Sequence, residues 1–228
     1  RGRRLGEAIA AYRSVLDLDP DNSDALHLLG LAAHQSGRHG EAETHIAAAL
    51  RLDPEFPGAW NHLGLVFQAL DRPDRAKACF ARAVALRPDF PEALTHLGLC
   101  LHKPASIAEA KRWHLRSIAL APENPAAHTN QGHACEIEGR FAEATAHYRK
   151  ALALRPDSAE TLNNLGTMAT ADERPDDALR HLGRALRVEP ESALAAWNFA
   201  LLALADGDMA TGWSGYERRF SARQLQRA

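Results

Sequence analysis

The sequence lacks the features that mark several large classes of protein. Its three cysteines, Cys79, Cys100 and Cys135, form neither an even disulfide framework nor a paired metal-binding motif. No apolar run is long enough to span a bilayer. The net charge of −2 gives no general attraction to nucleic acid or to an anionic membrane. We therefore expect a protein of the reducing cytoplasm whose partners are neither nucleic acid nor membrane.

Motifs of catalysis and of metal binding are missing as well. The chain has no Gly-x-Ser-x-Gly nucleophile motif, no phosphate-binding glycine-rich loop and no His-Glu-x-x-His motif. Histidine is abundant, with 12 residues, but no two histidines stand at the helical spacing that lets both bind one zinc ion. We expect no enzymatic activity in this chain, no metal site and no other cofactor.

What the sequence has in abundance is internal repetition. A proline recurs every 34 residues, at Pro20, Pro54, Pro88, Pro122, Pro156 and Pro190. This period is typical of stacked helix-turn-helix units. The proline ends the second helix of each unit, because it has no N–H and its ring clashes with the preceding turn.

Other positions of the unit repeat in the same register. We count positions from the first residue of each unit: Ser23, Pro57, Pro91, Pro125, Ala159 and Ala193. Position 8 is small in every unit: Gly30, Gly64, Gly98, Gly132, Gly166 and Ala200. Position 24 is larger: Ile46, Phe80, His114, Tyr148 and Leu182. A small residue facing a large one lets the two helices of a unit approach closely without leaving a gap.

These repeated residues resemble the tetratricopeptide repeat (TPR) family. The family pattern W-x2-L-G-x2-Y, A-x3-F, P is matched best by Trp60, Leu63, Gly64, Phe67, Ala76, Phe80 and Pro88. The resemblance implies an all-α fold, a right-handed α-solenoid (superhelix) of helix-turn-helix repeats. It also implies a protein–protein interaction scaffold, because stacked helix pairs present a long surface rather than an enclosed cavity.

We predict a single array along the whole chain. It comprises a partial repeat at 1–22, repeats 1 to 5 at 23–56, 57–90, 91–124, 125–158 and 159–192, and a degenerate repeat 6 with a capping helix at 193–228. Glycines mark the turn between the two helices at Gly37, Gly139 and Gly207. In repeat 3 this turn reads Lys103-Pro104-Ala105-Ser106, so we expect a different turn geometry there.

The first helix of each repeat is expected to line the inner, concave side of the array. We call positions 2, 5, 6, 9, 12 and 13 the helix-A face. Amides and imidazoles recur there, and such groups can bond the N–H and C=O groups of an extended peptide. We predict peptide-backbone contacts from position 6, at Asn130, Asn164, Asn198, His62 and His96. Flanking contacts are predicted from Asn61, Thr95, Asn163 and His133. The alternative is that these polar groups bond the neighbouring helix or water.

Two further functions stay open beside peptide binding. The segment from Trp197 to Phe220 resembles the junction in bacterial proteins at which a TPR array precedes a glycosyltransferase domain. This resemblance implies that the chain recruits the acceptor protein of such an enzyme. The second alternative is self-association through the array ends. The first helix has an apolar face that can pair with another copy, made of Leu5, Ala8, Ile9, Tyr12 and Leu16.

Overall fold

A computed structural model describes residues 2–213 and 216 of the chain. Within this part there is no strand, and the all-α prediction is confirmed. Its α-helices are α1 (Gly2–Leu18), α2 (Ser23–Gln35), α3 (His39–Leu52), α4 (Pro57–Ala69), α5 (Pro73–Leu86), α6 (Pro91–Leu99), α7 (Ile107–Leu120), α8 (Pro125–Ile137), α9 (Phe141–Leu154), α10 (Ala159–Ala171), α11 (Pro175–Val188) and α12 (Ala193–Ala205). A 3-10 turn at Pro104–Ser106 precedes α7, and residues 209–213 are again helical.

The helices form two compact units, Arg1–Ala121 (unit 1) and Pro122–Ala228 (unit 2). In unit 1, each helix from α1 to α7 packs against the next one along the chain. In unit 2, the same holds from α8 to α12, and α10 also contacts α12. Packing of consecutive helix pairs defines the α-solenoid fold class that the 34-residue period predicts.

Proline and short polar side chains set the helix boundaries. Proline occupies the first turn of several helices, among them α4 and α8, where its missing N–H costs no hydrogen bond. The Asn22 side chain caps α2 by accepting a hydrogen bond from the backbone N–H of Ala25 at 2.9 Å. At the other end, α3 stops at Leu52, shortly before Pro54.

The turn between the two helices of a repeat needs a left-handed residue. Gly37, Gly139 and Gly207 have φ values of 75°, 74° and 87°, which confirms the predicted turns. Asp71 and Glu173 stand at the same position of repeats 2 and 5 and adopt φ 55°. All five therefore make the same turn, and two of them do so without glycine.

Repeat 3 is the exception, as the sequence predicts. Its first helix, α6, has 9 residues, whereas α4 and α8 have 13. Pro104 accounts for the early end, because its ring would clash with the carbonyl of Cys100 in a continued helix and it disfavours helical geometry at Lys103. Lys103 is accordingly extended, with φ −125° and ψ 147°.

Position 8 is where the two helices of a repeat come closest. A Cβ atom added to Gly132 would lie 2.6 Å from Cε1 of Tyr148, and one added to Gly166 would lie 2.6 Å from Cγ of Leu182. Tyr148 and Leu182 are fully buried, so neither side chain has free space beside it. The small-facing-large rule read from the sequence is therefore the packing rule of the core.

Apolar side chains also remain at the surface near the two ends of the chain. In α1, the predicted apolar face at Leu5, Ile9 and Tyr12 is half-buried, while the Leu18 side chain is 90% exposed. At the other end, the Tyr216 ring stacks on Trp197 with centroids 5.1 Å apart. The rest of the predicted capping helix, including Arg218, Arg219 and Phe220, lies outside the described residues.

Candidate functional site

The two polar rows of the helix-A face differ in burial. Position 5 is buried in repeats 1 to 5: His27, Asn61, Thr95, Thr129 and Asn163. Position 6 is half-buried in repeats 2 to 6: His62, His96, Asn130, Asn164 and Asn198. Position 6 therefore reaches the surface of the face, and position 5 lies beneath it.

Hydrogen bonds connect the two rows across repeat boundaries. In unit 1, the Nδ1 of His96 donates to Oδ1 of Asn61 at 2.9 Å. In unit 2, the Nδ2 of Asn198 donates to Oδ1 of Asn163 at 2.9 Å. Each bond joins position 6 of one repeat to position 5 of the repeat before it. The buried amides thus hold the surface residues in place.

His27 and His62 make the same link with two imidazoles. Nε2 of His27 and Nδ1 of His62 lie 2.6 Å apart, and the ring centroids are 4.9 Å apart in a stacked arrangement. Two imidazoles share one hydrogen across such a contact only when at least one of them is neutral.

The hydroxyl of Thr95 also forms hydrogen bonds within the chain, below the surface. Its Oγ1 donates to the carbonyl oxygen of Pro91 at 2.9 Å and shares a hydrogen with Oγ of Ser117 at 2.8 Å. Thr95, Asn61 and Asn163 are all buried and make hydrogen bonds within the chain. Their predicted role as flanking peptide contacts stays a prediction.

Burial keeps three histidines of unit 1, His27, His62 and His96, neutral. It lowers the pKa of His27 to about 4, and the charge of His62 lowers it further while Asp24 opposes the change. Burial likewise lowers the pKa of His96 to about 4 and lowers the pKa of His62. At neutral pH these imidazoles are uncharged donors and acceptors.

Asn130 and Asn164 are different from the other members of position 6. Their side chains are half-buried, and neither makes a hydrogen bond within the described part of the chain. Each amide therefore presents two N–H donors and one carbonyl acceptor at the surface. His133, the predicted flanking residue of repeat 4, is exposed on the same face of α8.

Two open cavities lie on the helix-A face, one in each unit. In unit 1, the shortened α6 borders a cavity of about 360 Å³ with Gln68, Asp71, Pro73, Leu99, Cys100, His102 and Lys103 in its wall. Burial raises the pKa of the Cys100 thiol, so the thiol is protonated at neutral pH. In unit 2, a cavity of about 360 Å³ lies between α10 and α12 beside Asn198.

The unit 2 cavity is not predicted from the sequence. Small residues at position 13 of two successive repeats were its available signal: Ala171 and Ala205 leave room there, whereas repeats 3 and 4 carry Lys103 and Ile137. Among residues 2–213 and 216, no three His, Cys, Asp or Glu side chains converge to hold a metal ion. None of the helices described here has the length and apolarity required to cross a membrane.

Consecutive helix pairs of 34 residues, joined by left-handed turns, define the class of α-solenoid repeat proteins, which act as scaffolds for protein–protein interaction. Three sequence profiles of one family, the tetratricopeptide repeat, match residues 1–59, 57–90 and 123–191. The chain belongs to the tetratricopeptide repeat family.

Solved structures show the same fold at low sequence identity. The Cut9–Hcn1 hetero-tetramer of the APC/C superposes with a TM-score of 0.88 at 19% identity, over 95% of this chain and 43% of that one. This chain thus spans less than half the length of that relative. PilF of Pseudomonas aeruginosa gives 0.74 at 22% identity, over 85% and 88% of the two chains. YrrB, a TPR protein with an unusual peptide-binding site, gives 0.59 at 20% identity, over 81% and 95%. No curated protein sequence matches the chain.

Proposed function

We propose that the chain binds an extended segment of a partner protein on the helix-A face of unit 2. Asn130, Asn164 and Asn198 bond the backbone of this segment, and His133 flanks it. The observation that carries the proposal is the pair of surface amides, Asn130 and Asn164, without hydrogen bonds inside the described part of the chain. A side-chain amide matches a peptide bond in donors and acceptors, so it binds many sequences.

The spacing of the amides suits an extended chain. Because α10 and α12 contact each other directly, Asn164 and Asn198 lie on helices about 8–10 Å apart. An extended peptide advances about 3.3 Å per residue. A bound segment therefore meets one amide roughly every third residue, and the residues between are left for side-chain recognition.

His62 and His96 of unit 1 keep a secondary role in the proposal. Each ring already uses one nitrogen in its bond to position 5 of the preceding repeat. Each can offer only its second nitrogen to a peptide. We therefore place the main contacts in unit 2.

The test uses peptides selected from a displayed library of short random sequences on the intact chain. Replacing Asn130→Ala and Asn164→Ala together should weaken the selected peptides about tenfold or more, since each lost hydrogen bond contributes about 0.5–1.5 kcal/mol. Fluorescence anisotropy measures the affinity, and circular dichroism checks that the helical content is unchanged.

The matched control replaces Arg149→Ala and Lys150→Ala, two exposed residues of α9 in the same unit. The control should bind the selected peptides like the original chain. If the Asn130/Asn164 variant also binds them unchanged, the assignment of the helix-A face is refuted.

Self-association is a second candidate, and the exposure of α1 favours it. Val15 and Leu18 are 42% and 90% exposed on a helix whose apolar face is only half-buried. Sedimentation velocity over a concentration series should then show a dimer that Leu18→Glu abolishes. A monomer at every concentration would contradict this candidate. The role as acceptor-recruiting arm of a bacterial glycosyltransferase stays a prediction, since it requires catalytic sequence outside this chain.

A further inference from the structure

The cavity in unit 2 lies on the proposed peptide path. Its wall consists of residues from the last two turns of α10 and from α12: Thr167, Thr170, Ala171, Asn198, Leu201, Leu202 and Ala205. Asn198, one of the proposed backbone contacts, stands in this wall. A peptide bonded to Asn198 must therefore pass over the opening.

The wall of the cavity presents mainly apolar surface to a ligand, although it contains two threonines. The hydroxyl of Thr167 donates to the carbonyl oxygen of Asn164 at 2.8 Å, and that of Thr170 donates to Gly166 at 3.0 Å. Both hydroxyl hydrogens are thus used within α10. Leu201 is 43% exposed beside them, although a leucine gains about 1.5–3 kcal/mol when it is fully buried. An apolar group that covered Leu201 would recover part of this free energy.

The one side-chain amide in the wall is held in a fixed position. Asn198 is held by its hydrogen bond to the buried Asn163. The side-chain oxygen of Asn198, Oδ1, makes no hydrogen bond within the described residues. A backbone N–H of the peptide can bond this oxygen while the next side chain enters the cavity.

The charge around the cavity is negative. Ala171 and Ala205, the last residues of α10 and α12, are both in the wall, and helix C-termini carry partial negative charge. No lysine or arginine of the described residues stands in the wall to offset this charge. No lysine or arginine stands at any helix-A-face position of repeats 4 to 6. This end of the face thus favours a cation and disfavours a carboxylate.

We infer that the cavity selects a branched aliphatic side chain of the partner segment, with a basic residue beside it in the segment's sequence. A volume of about 360 Å³ accommodates one leucine-sized side chain. An acidic segment is disfavoured by the two helix C-termini at the opening. The inference rests on the proposed function, since it assumes that the peptide runs along the helix-A face of unit 2.

The probes are again fluorescein-labelled peptides selected from a random displayed library on the intact chain. The selected sequences should share Leu, Ile or Val next to Lys or Arg. Replacing this aliphatic residue by Ala should weaken binding about tenfold or more, because about three buried carbon atoms are removed. Replacing the neighbouring basic residue by Glu should weaken binding at low salt, and added salt should reduce the difference.

A variant that fills the cavity tests the site directly. Ala171→Leu places a larger side chain in the wall and should weaken the selected peptides about tenfold or more. Ala146→Leu in α9 is the matched control, since both alanines are exposed and in helices of the same unit. Both variants should keep their helical content, because leucine is a good helix former.

The outcomes separate this inference from the proposed function. The selected peptides could lose affinity with Asn130→Ala and Asn164→Ala and yet show no aliphatic preference and tolerate Ala171→Leu. This result would overturn the inference and leave the proposed function standing. Peptides that are insensitive to both sets of changes would overturn both, as would a selection that enriches no peptide.

Discussion

Units 1 and 2 place polar side chains at the same repeat positions and use them differently. In unit 1, position 6 supplies imidazoles, and both His62 and His96 are bonded to the repeat before them. In unit 2, position 6 supplies amides, and Asn130 and Asn164 remain available at the surface. Position 6 thus links successive repeats at His62 and His96 of unit 1 and at Asn198 of unit 2, whereas Asn130 and Asn164 are the two amides proposed to bind a peptide.

The difference shows why a repeat position alone does not define a binding residue. The side chain at position 6 is half-buried in both units, so burial does not separate the two uses. The two cases differ in whether the position 5 side chain of the preceding repeat has a group that can form a hydrogen bond with position 6. Asn61 and His27 have such a group in unit 1, whereas Thr129 is already bonded to Thr161 and Pro125.

The largest expected effect concerns a feature that both units share, the close packing of the two helices of a repeat at position 8. Gly64→Val and Gly132→Val each force a branched side chain into the buried ring of Phe80 or Tyr148. Overpacking of this kind costs about 1–3 kcal/mol or more, so each variant should lose about 3 kcal/mol of unfolding free energy in urea titrations. Gly40→Ala, with no atom near the new methyl group, should instead gain about 0.5–1 kcal/mol. A much smaller loss in one unit would show that the units pack their repeats differently.

The second prediction concerns acid, which should act on unit 1 through its histidines. The pKa of His27 and that of His96 are lowered to about 4 in the folded chain, against about 6.5 when unfolded. The unfolded chain binds more protons between these values, so stability is complete above about pH 6.5 and falls towards pH 4. Each histidine contributes a slope of at most about 1.4 kcal/mol per pH unit.

A double variant replaces the His27–His62 pair of unit 1 by two asparagines, as in the Asn163–Asn198 pair of unit 2. His27→Asn with His62→Asn reproduces the chemistry of Asn163 and Asn198, and it should reduce the slope of unfolding free energy against pH. Asn130→Ala, which removes no ionisable group from unit 2, is the control and should leave the slope as it is. An unchanged slope in the double variant would show that the His27–His62 contact does not cause the acid sensitivity.

The third prediction is a loss of similar size in the two units. Thr95→Val removes a hydroxyl bonded to Ser117, and Thr129→Val removes one bonded to Thr161. Each should cost about 1 kcal/mol, the typical net contribution of one hydrogen bond, as measured by thermal and urea unfolding. A cost near zero in unit 2 alone would mean that only unit 1 depends on its buried polar row.

The smallest effects are expected from the ion pairs at the start of the second helices. Arg38 in unit 1 pairs with Glu41 at 2.7 Å, and Arg174 in unit 2 pairs with Asp177 at 2.8 Å and with Asp172 at 2.9 Å. These groups are in contact with solvent, with side chains 32–51% exposed, so Arg38→Ala and Arg174→Ala should each change the unfolding free energy by about 0.5 kcal/mol or less. A cost above about 1 kcal/mol would give these pairs a structural role that surface ion pairs rarely have.

Much of the fold follows from the sequence because its determinants are local. The prolines, the turn glycines and the small residue at position 8 act within one repeat, so each can be interpreted without knowing the rest of the chain. The altered turn of repeat 3 follows in the same way from Pro104.

The difference in burial between positions 5 and 6 could not be predicted from the sequence of a single repeat. Neighbouring helix positions differ by about 100° in direction, and the angle between successive repeats decides which of them faces inwards. The cavity beside Asn198 depends on the packing of α10 against α12, two helices distant in sequence. The sequence therefore predicts the face but not which of its side chains are available.

Contacts between consecutive helices also bear on how the chain tolerates length changes. In unit 1, α4 and α5 make their main contacts with each other and with the helices directly before and after them. Repeats 2 and 3 both begin with proline, at Pro57 and Pro91. Excision of residues 57–90 would therefore join two boundaries of the same kind. Evolution and protein engineering can lengthen or shorten such a molecule by whole repeats, since no distant part of the chain has to be redesigned to close the gap.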